Sequence, residues 1–230
     1  MTASRADQPD PDRPGPGRLE PDRPEPGRLE PGRPEPDRPG EIVRIALALL
    51  DEVGIQGVSL RAVAGRLGVR LNTVSWHVKT KARLFELMAD AIVADVSLAD
   101  LPEPWRDRVR ELAHRYRRAL LAHRDGARVV AGTSAAEPAT LGLADAMVGA
   151  LLDGGLADRD AGWTCWTVVY FTLGLVQEEQ SAVGGPLPRL EAAMTGGRYP
   201  HLTQVLPYLV VEDFDRRFEF GLDLILDRTT

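Results

Sequence analysis

Apolar residues recur at helical spacing from Glu41 onward. In the first such segment they stand at positions i, i+3, i+4, i+7, i+8 and i+11, which is the stripe of an amphipathic helix: Ile42, Ile45, Ala46, Leu49, Leu50 and Val53. Gly54 follows directly. We expect it to end this helix, because glycine tolerates the left-handed backbone conformation that closes many helices.

Three more helices are predicted before residue 97. Ser59 can cap a short helix that ends at Gly68, and a second short helix covers roughly Leu71 to His77. Thr80 can cap a longer helix whose apolar face runs to Val96. Two short helices joined by a turn that contains glycine, with a longer helix on each side, are typical of a helix-turn-helix unit.

The spacing of apolar residues in the rest of the chain also predicts helices and essentially no strands, so the expected fold class is all-α. Long helices are expected over residues 105–122, 139–152, 163–179 and 214–226, with a short helix within HRDGARVVAGTS and a loop-rich insert from AVGGPLPRL to GGRYP. The helix over 163–179 is apolar nearly all round, which predicts burial on several sides. Because one modest domain cannot cover two helices as apolar as those near the C-terminus, we expect a subunit interface there.

Residues 1–40 differ from everything that follows. They hold 11 of the 18 prolines, almost no apolar residue, and an approximate ten-residue repeat: PDRPGPGRLE, PDRPEPGRLE, PGRPEPDRPG. Such a segment buries too little surface to offset the entropy cost of ordering it, so we predict a disordered tail. Its seven arginines could contact DNA phosphates, but nine acidic residues outnumber them, which favours a solvated tail.

Charge is distributed unevenly along the chain. The net charge of −6 does not itself suggest nucleic acid. Residues 58–83, however, hold six basic residues and no acidic one: Arg61, Arg66, Arg70, Lys79, Lys81 and Arg83. This basic window coincides with the two short helices, which predicts a DNA-binding domain over residues 41–97.

Residues that support catalysis or metal binding are sparse. The single cysteine, Cys165, excludes an internal disulfide and a thiolate cluster, and the four histidines show no pair at metal-ligand spacing. No nucleophile–base pair or phosphate-binding loop is evident, so we expect neither an enzyme nor a bound cofactor or metal. The N-terminus has no apolar signal segment and no run of about 18 apolar residues occurs, which favours a cytoplasmic protein without membrane contact.

The second short helix is the predicted reading element. In a helix-turn-helix it enters the major groove, and its N-terminal residues reach base edges. Asn72 and Arg70 can make directional hydrogen bonds to bases, and Leu71 can touch a thymine methyl. Thr73 and Ser75 suit either phosphates or bases.

Five further residues complete the expected DNA-contacting surface. Lys79 and Lys81 stand just beyond the reading helix as phosphate clamps. Arg61, early in the preceding helix, points toward the same side. Trp76 is expected to pack at the helix end, and we give even weight to packing alone and to packing while its ring N–H is offered to a phosphate. His77 lacks a partner for metal binding or general-base catalysis, so we place it at the same end of the helix near the phosphates.

These segments together resemble the tetracycline-repressor (TetR) family. LLDEVGIQGVSLRAVAGRLGV and WHVKTKARL are similar to the DNA-binding domain of that family, and PWRDRVRELAHRYRRALLAHRDGARVVAGT, VVYFTLGLVQEEQ and FEFGLDLILD are similar to later helices of the tetracycline repressors proper. The resemblance covers about residues 41–228. It implies a homodimer that binds a palindromic double-stranded DNA operator, with an effector-binding and dimerisation domain over residues 98–230.

The resemblance also implies a ligand pocket, but its metal-binding positions depart from the family pattern. Tetracycline repressors bind a drug–magnesium chelate, and their first metal-ligating histidine falls at Val130, while a second pocket histidine falls at Tyr170. Valine cannot replace the imidazole that the chelated metal requires. We therefore expect that magnesium–tetracycline is not the effector.

The other carried-over pocket positions define a different ligand. The family's pocket asparagine falls at Leu112 and its phenylalanine at Tyr116, while the hinge threonine and the acidic residue are kept as Thr133 and Glu178. With Trp166 added, the set predicts an apolar, aromatic small-molecule effector with few hydrogen-bonding groups. Core or dimer packing is the favoured alternative role for Trp166 and for Trp163.

The combined reading is a ligand-responsive transcriptional repressor that releases its operator when an effector binds. A same-family activator, or a regulator with no small-molecule effector, is the main alternative. A helical enzyme is the rival from another class, and Glu178 alone cannot carry a reaction.

Overall fold

The computed structural model describes residues 38–133, 136–181, 194, 198–209 and 213–227. Over these ranges the chain is helical without a strand, which confirms the all-α prediction. The described helices are α1 (Arg38–Val53), α2 (Leu60–Leu67), α3 (Leu71–His77), α4 (Lys81–Ala94), α5 (Trp105–Leu121), α6 (Gly126–Ala131), α7 (Pro138–Asp153), α8 (Asp158–Ser181), α9 (Pro200–Leu209) and α10 (Phe214–Asp227). A short 3-10 turn, Ile55–Gly57, follows α1. None of these described helices is long and apolar enough to cross a membrane.

The first four helices begin and end where the sequence predicts, apart from the start of α1 and the end of α4, which stops at Ala94 instead of Val96. Gly68 closes α2 in the left-handed conformation (φ 67°, ψ 25°) expected of a residue that ends a helix, whereas Gly54 combines a positive φ of 74° with an extended ψ of 175°. The Ser59 hydroxyl oxygen accepts a 3.1 Å hydrogen bond from the Ala62 amide, and the Thr80 hydroxyl oxygen caps α4 in the same way. The first helix starts at Arg38 rather than Glu41, because the polar first turn needs no apolar face to be helical.

One residue of the predicted apolar stripe of α1 lies outside the core. Ile42, Leu49 and Leu50 are buried as expected, but the Val53 side chain is half exposed at the last turn. At that point the chain turns away into Gly54 and the 3-10 turn, and Val53 packs under Gly57 instead of the core.

The helices after residue 104 form the larger part of the core. Helix α5 packs against α7 and α8, and α8 packs against α10. Helix α9 was not predicted from the sequence, which has a proline at position 207. The structure buries none of its residues. Most of the predicted loop-rich insert lies outside the described residues.

Helix α8 is less buried than its composition predicts. Val168, Thr172 and Val176 face the core, but Trp163 is 66% exposed and Tyr170 is 63% exposed. The prediction of burial on several sides is therefore wrong for this chain taken alone, since one long face of α8 is uncovered. On the neighbouring α10, Phe220 and Leu224 are exposed as well.

A buried arginine links three helices. Arg117 of α5 donates to Asp215 of α10 (2.6 Å) and to both carboxylate oxygens of Glu179 of α8 (2.8 and 2.9 Å), and it lies over the Phe218 ring. Burial alone would lower the pKa of Arg117, but the two carboxylates raise it overall. The charge is therefore retained and paired, as a buried ion must be.

Candidate DNA interface and effector cavity

Helix α3 is anchored by one face and exposed on the other. Val74 is almost completely buried against the neighbouring helices, and Val78, which follows the helix, is completely buried. Every predicted DNA-contacting residue except half-buried Ser75 is exposed to solvent: Arg61, Arg70, Leu71, Asn72, Thr73, Trp76, His77, Lys79 and Lys81. The structure thus leaves the predicted residues on α2, α3 and the start of α4 accessible to solvent.

The basic window divides into paired and unpaired cations. Arg66 donates to Glu52 of α1, and Arg83 pairs with Glu86 and Glu137. Within the part of the chain that the structure describes, the other four form no ion pair: Arg61, Arg70, Lys79 and Lys81. These four are available to neutralise phosphates at no cost in broken ion pairs.

Trp76 is exposed, although an aromatic residue at the end of a short helix usually packs against its neighbours. Its side chain is 81% exposed, so the packing role weighed from sequence does not describe this chain. His77, the next residue and the last of α3, is exposed as well. A large aromatic side chain held in solvent beside unpaired cations is suited to contact with a macromolecular surface.

A cavity of about 610 Å³ lies among α4, α5, α6, α7 and α8. Five of the seven predicted ligand-contacting residues line it: Tyr116, Val130, Thr133, Trp166 and Tyr170. The other two do not, since Leu112 is completely buried in the core and Glu178 is exposed on α8.

The cavity wall is mostly apolar and uncharged, with three aromatic side chains: Tyr116, Trp166 and Tyr170. The Trp166 and Tyr170 rings stack with centroids 5.1 Å apart and an angle of 23° between their planes. Burial raises the pKa of Tyr116 well above its usual range, so its hydroxyl stays protonated, and no described residue hydrogen-bonds to it. Among the described residues that line the cavity, none carries a carboxylate, an ammonium, a guanidinium or an imidazole.

Sequence reasoning missed the walls that α4 and α7 contribute. Val93 of α4 lines the cavity together with six residues of α7 that no motif marks: Thr140, Leu141, Leu143, Ala144, Met147 and Val148. The helical periodicity of the sequence cannot tell a core position from a cavity wall. Cys165 of α8, which was weighed only for disulfides and metals, also faces the cavity, and burial raises the pKa of its thiol.

Polar contacts tie the end of α1 to the turn between α5 and α6. The carboxylate of Asp51 lies 3.0 Å from the Nδ1 atom of His123 and accepts a 3.0 Å hydrogen bond from the Arg124 amide. In the same turn, Asp125 accepts a 2.9 Å hydrogen bond from the Ile55 amide. The chain leaving α1 is thereby fixed to the segment that leads into α6, one wall of the cavity.

Comparison with known proteins places the chain in one family. Residues 98–228 match the family described as "Tetracyclin repressor-like, C-terminal domain". The tetracycline repressor protein class C of Escherichia coli is 37% identical over 191 residues, which cover 80% of this chain and 87% of that protein. A crystal structure of a possible TetR family transcriptional regulator from Streptomyces coelicolor A3(2) superposes with a TM-score of 0.75 at 41% identity, covering 82% of this chain and 97% of that one.

A second Streptomyces coelicolor structure adds a bound ligand. It is the TetR family protein ActR in complex with (S)-DNPA, with a TM-score of 0.76 and 27% identity, and the match covers 83% of this chain and 96% of that one. The match to the tetracycline repressors extends over both the helix-turn-helix and the helices around the cavity. This chain therefore belongs to the TetR family of transcriptional regulators.

Proposed function

We propose that this protein is a ligand-responsive transcriptional repressor, and that it is a regulator without enzymatic activity that acts in the cytoplasm. The observation that carries the proposal is the position of α4. This helix starts at Lys81, four residues after the reading helix ends, and its residue Val93 lines the cavity. One rigid element thus joins the surface suited to DNA with the space suited to a small molecule.

The DNA-reading role rests on the exposed end of α3. Arg70, Leu71 and Asn72 stand at its start, where a helix lying in the major groove meets base edges. Unpaired Lys79 and Lys81 follow its last turn and are suited to phosphates on either side of the groove. We assign this domain to residues 41–97 and the effector-binding and dimerisation domain to residues 98–230, with residues 1–40 as a solvated tail.

A homodimer follows from the exposed apolar faces of α8 and α10. Trp163, Tyr170, Phe220 and Leu224 would cost free energy in water at about 25 cal/mol per Å² of exposed apolar surface. A second copy of the chain that packs the same faces together removes that cost and places two reading helices on one duplex. A two-fold symmetric dimer matches a palindromic operator.

The effector is proposed to be a neutral, apolar aromatic molecule. Stacked Trp166 and Tyr170 suit a flat ring system, and the Tyr116 hydroxyl can donate one hydrogen bond to it. The uncharged wall disfavours an ionic ligand, because burying an unpaired charge is costly. Val130 stands where a chelated magnesium ion would need a ligand, which argues against magnesium–tetracycline.

The proposed mechanism is a shift between two dimer states. An effector that contacts Val130 and Thr133 moves the segment that carries α6, and α4 transmits the movement to the reading helix. The effector acts only to the extent that it binds one state more tightly than the other.

Binding-site selection from a random duplex library, followed by gel shifts with the selected duplex, tests the DNA role directly. We expect a palindromic site bound by two chains. A selected pool without an enriched palindrome would contradict the proposal.

Titration with N-phenyl-1-naphthylamine, a neutral fluorescent aromatic, tests the cavity, and we expect bound probe to weaken operator binding. Magnesium-dependent, sub-micromolar binding of tetracycline would refute the proposed ligand class.

A further inference from the structure

The N-terminus of α7 is capped by another helix. Its own preceding residue, Glu137, makes no side-chain cap, but Asp90 of α4 accepts hydrogen bonds from the Thr140 amide (2.8 Å) and the Ala139 amide (3.4 Å). The Thr140 hydroxyl also donates to Asp90, at 2.9 Å. Because amides in the first turn of a helix have no partner within it and a carboxylate there is favoured by the helix dipole, α7 depends on α4 for its start.

A second contact reinforces this junction. Arg83 of α4, two turns before Asp90, pairs with Glu137. The pair fixes the residue in front of α7 to the beginning of α4, close to the exit of the reading helix. Helix α4 therefore holds the start of α7 at two points along its length.

The same turn of α7 forms part of the cavity wall. Thr140 and Leu141 line the cavity, and Val93, one helical turn after Asp90, faces it from α4. Thr140 thus hydrogen-bonds to the Asp90 carboxylate and also lies where a bound ligand would contact it. A ligand in the cavity can therefore contact Val93 and Thr140, which lie on the two helices that the Asp90 cap joins.

We propose that the Asp90–Thr140 contact is a relay that reports cavity occupancy to the reading head. The inference rests on the proposed ligand-responsive function and deepens it. In addition to α6, the side-chain cap between α4 and α7 would then carry the signal from the cavity to the reading helix. When the ligand draws Thr140 away, Asp90 loses its hydroxyl donor and α4 changes its position along with the reading helix that precedes it.

The test measures coupling between the two ligands of the intact protein. The dissociation constant of N-phenyl-1-naphthylamine is determined by fluorescence with the free protein and with the protein saturated with its selected operator, and the ratio is the coupling factor. For the wild type we expect a ratio of about 5 or more. Thr140→Val removes only the hydroxyl link, and we expect the ratio to fall below about 2 while operator affinity without probe changes by less than about threefold.

Three variants separate a relay from a general packing effect. Thr140→Ser keeps the hydroxyl and should retain the wild-type coupling. Thr172→Val removes a buried hydroxyl that bonds within α8, away from α4, and should also retain it. Asp90→Asn removes the charge of the cap and should lower the coupling; it takes the place of Thr140→Val if that variant does not fold.

The outcomes distinguish the relay from the function on which it rests. Wild-type coupling in both Thr140→Val and Asp90→Asn overturns the relay but leaves the proposed repressor intact. An equal loss in Thr172→Val also overturns the relay, since packing alone would explain it. A wild-type ratio of 1 with probe bound overturns the ligand-responsive function, and the relay with it.

Discussion

The exposed faces of α3 and α8 differ in character. Apart from the exposed Trp76 ring, the α3 face is polar and cationic, with Asn72, Thr73 and Arg70 in solvent beside two unpaired lysines. The α8 face is apolar and aromatic, with Trp163 and Tyr170 in solvent. Polar side chains are stable in water, and such a surface needs no permanent partner. An aromatic stripe is unstable in water, so it indicates a lasting one. The comparison separates a surface for reversible DNA binding from one for permanent assembly.

The largest expected effect comes from placing a charge on the exposed apolar face of α8 and α10. Leu224→Asp places a carboxylate on the exposed face of α10, where the chain alone can solvate it but a dimer would bury it. We expect a monomer in analytical ultracentrifugation with a normal helical circular dichroism spectrum. Operator affinity should fall by a factor on the order of 10²–10⁴, because the two reading heads are no longer linked.

The matched control is Leu152→Asp, on an exposed position of α7 that lies outside the proposed interface. It should leave both the dimer and operator binding unchanged. If Leu224→Asp remains a dimer, the exposed apolar face of α8 and α10 is not the dimer interface.

The next effect concerns base reading on the polar side. Arg61→Ala and Asn72→Ala should each weaken operator binding by roughly 1–3 kcal/mol and relax its sequence preference, as loss of a specific base contact does. Gel shifts against the selected site and single-base variants measure both quantities. Arg66→Ala is the control on the same helix as Arg61, because Arg66 is paired with Glu52 and should contribute little. Unchanged operator binding by both Arg61→Ala and Asn72→Ala would contradict the assignment of the reading surface.

A smaller and sequence-independent effect is expected at Lys81. Its ammonium group pairs with no described carboxylate and lies 5.2 Å from the centre of the Phe85 ring. Lys81→Ala should weaken binding to all duplexes evenly and reduce the slope of log affinity against log salt by about 1. Titrations at four salt concentrations give the slope. A slope equal to that of the wild type would show that Lys81 contacts no phosphate.

The two faces were not equally predictable from sequence. The bounds of the reading helix follow from local signals on the helices beside it: Ser59 and Gly68 cap the two ends of α2, and Thr80 caps the start of α4. The exposure of Trp163 does not, because burial depends on which helices pack together, and apolar composition cannot separate core from interface. The cavity was predicted in part through family resemblance, which supplied Tyr116 and Val130 but gave no reason to choose Thr140.

The smallest expected effect lies on α4, which connects the two regions. Thr80→Ala removes the hydroxyl that accepts from the Arg83 amide and should lower the free energy of unfolding by about 1 kcal/mol, measured by urea denaturation. Thr167→Ala is its control, since that hydroxyl bonds to Trp163 within α8 and alanine is the better helix former there. Because the Thr80 cap also fixes the start of α4 beside the reading helix, operator affinity should fall together with stability. If stability falls while operator affinity does not, the position of α3 does not depend on the first turn of α4, and a signal in α4 would have to reach the DNA-binding helices through its packing against α1.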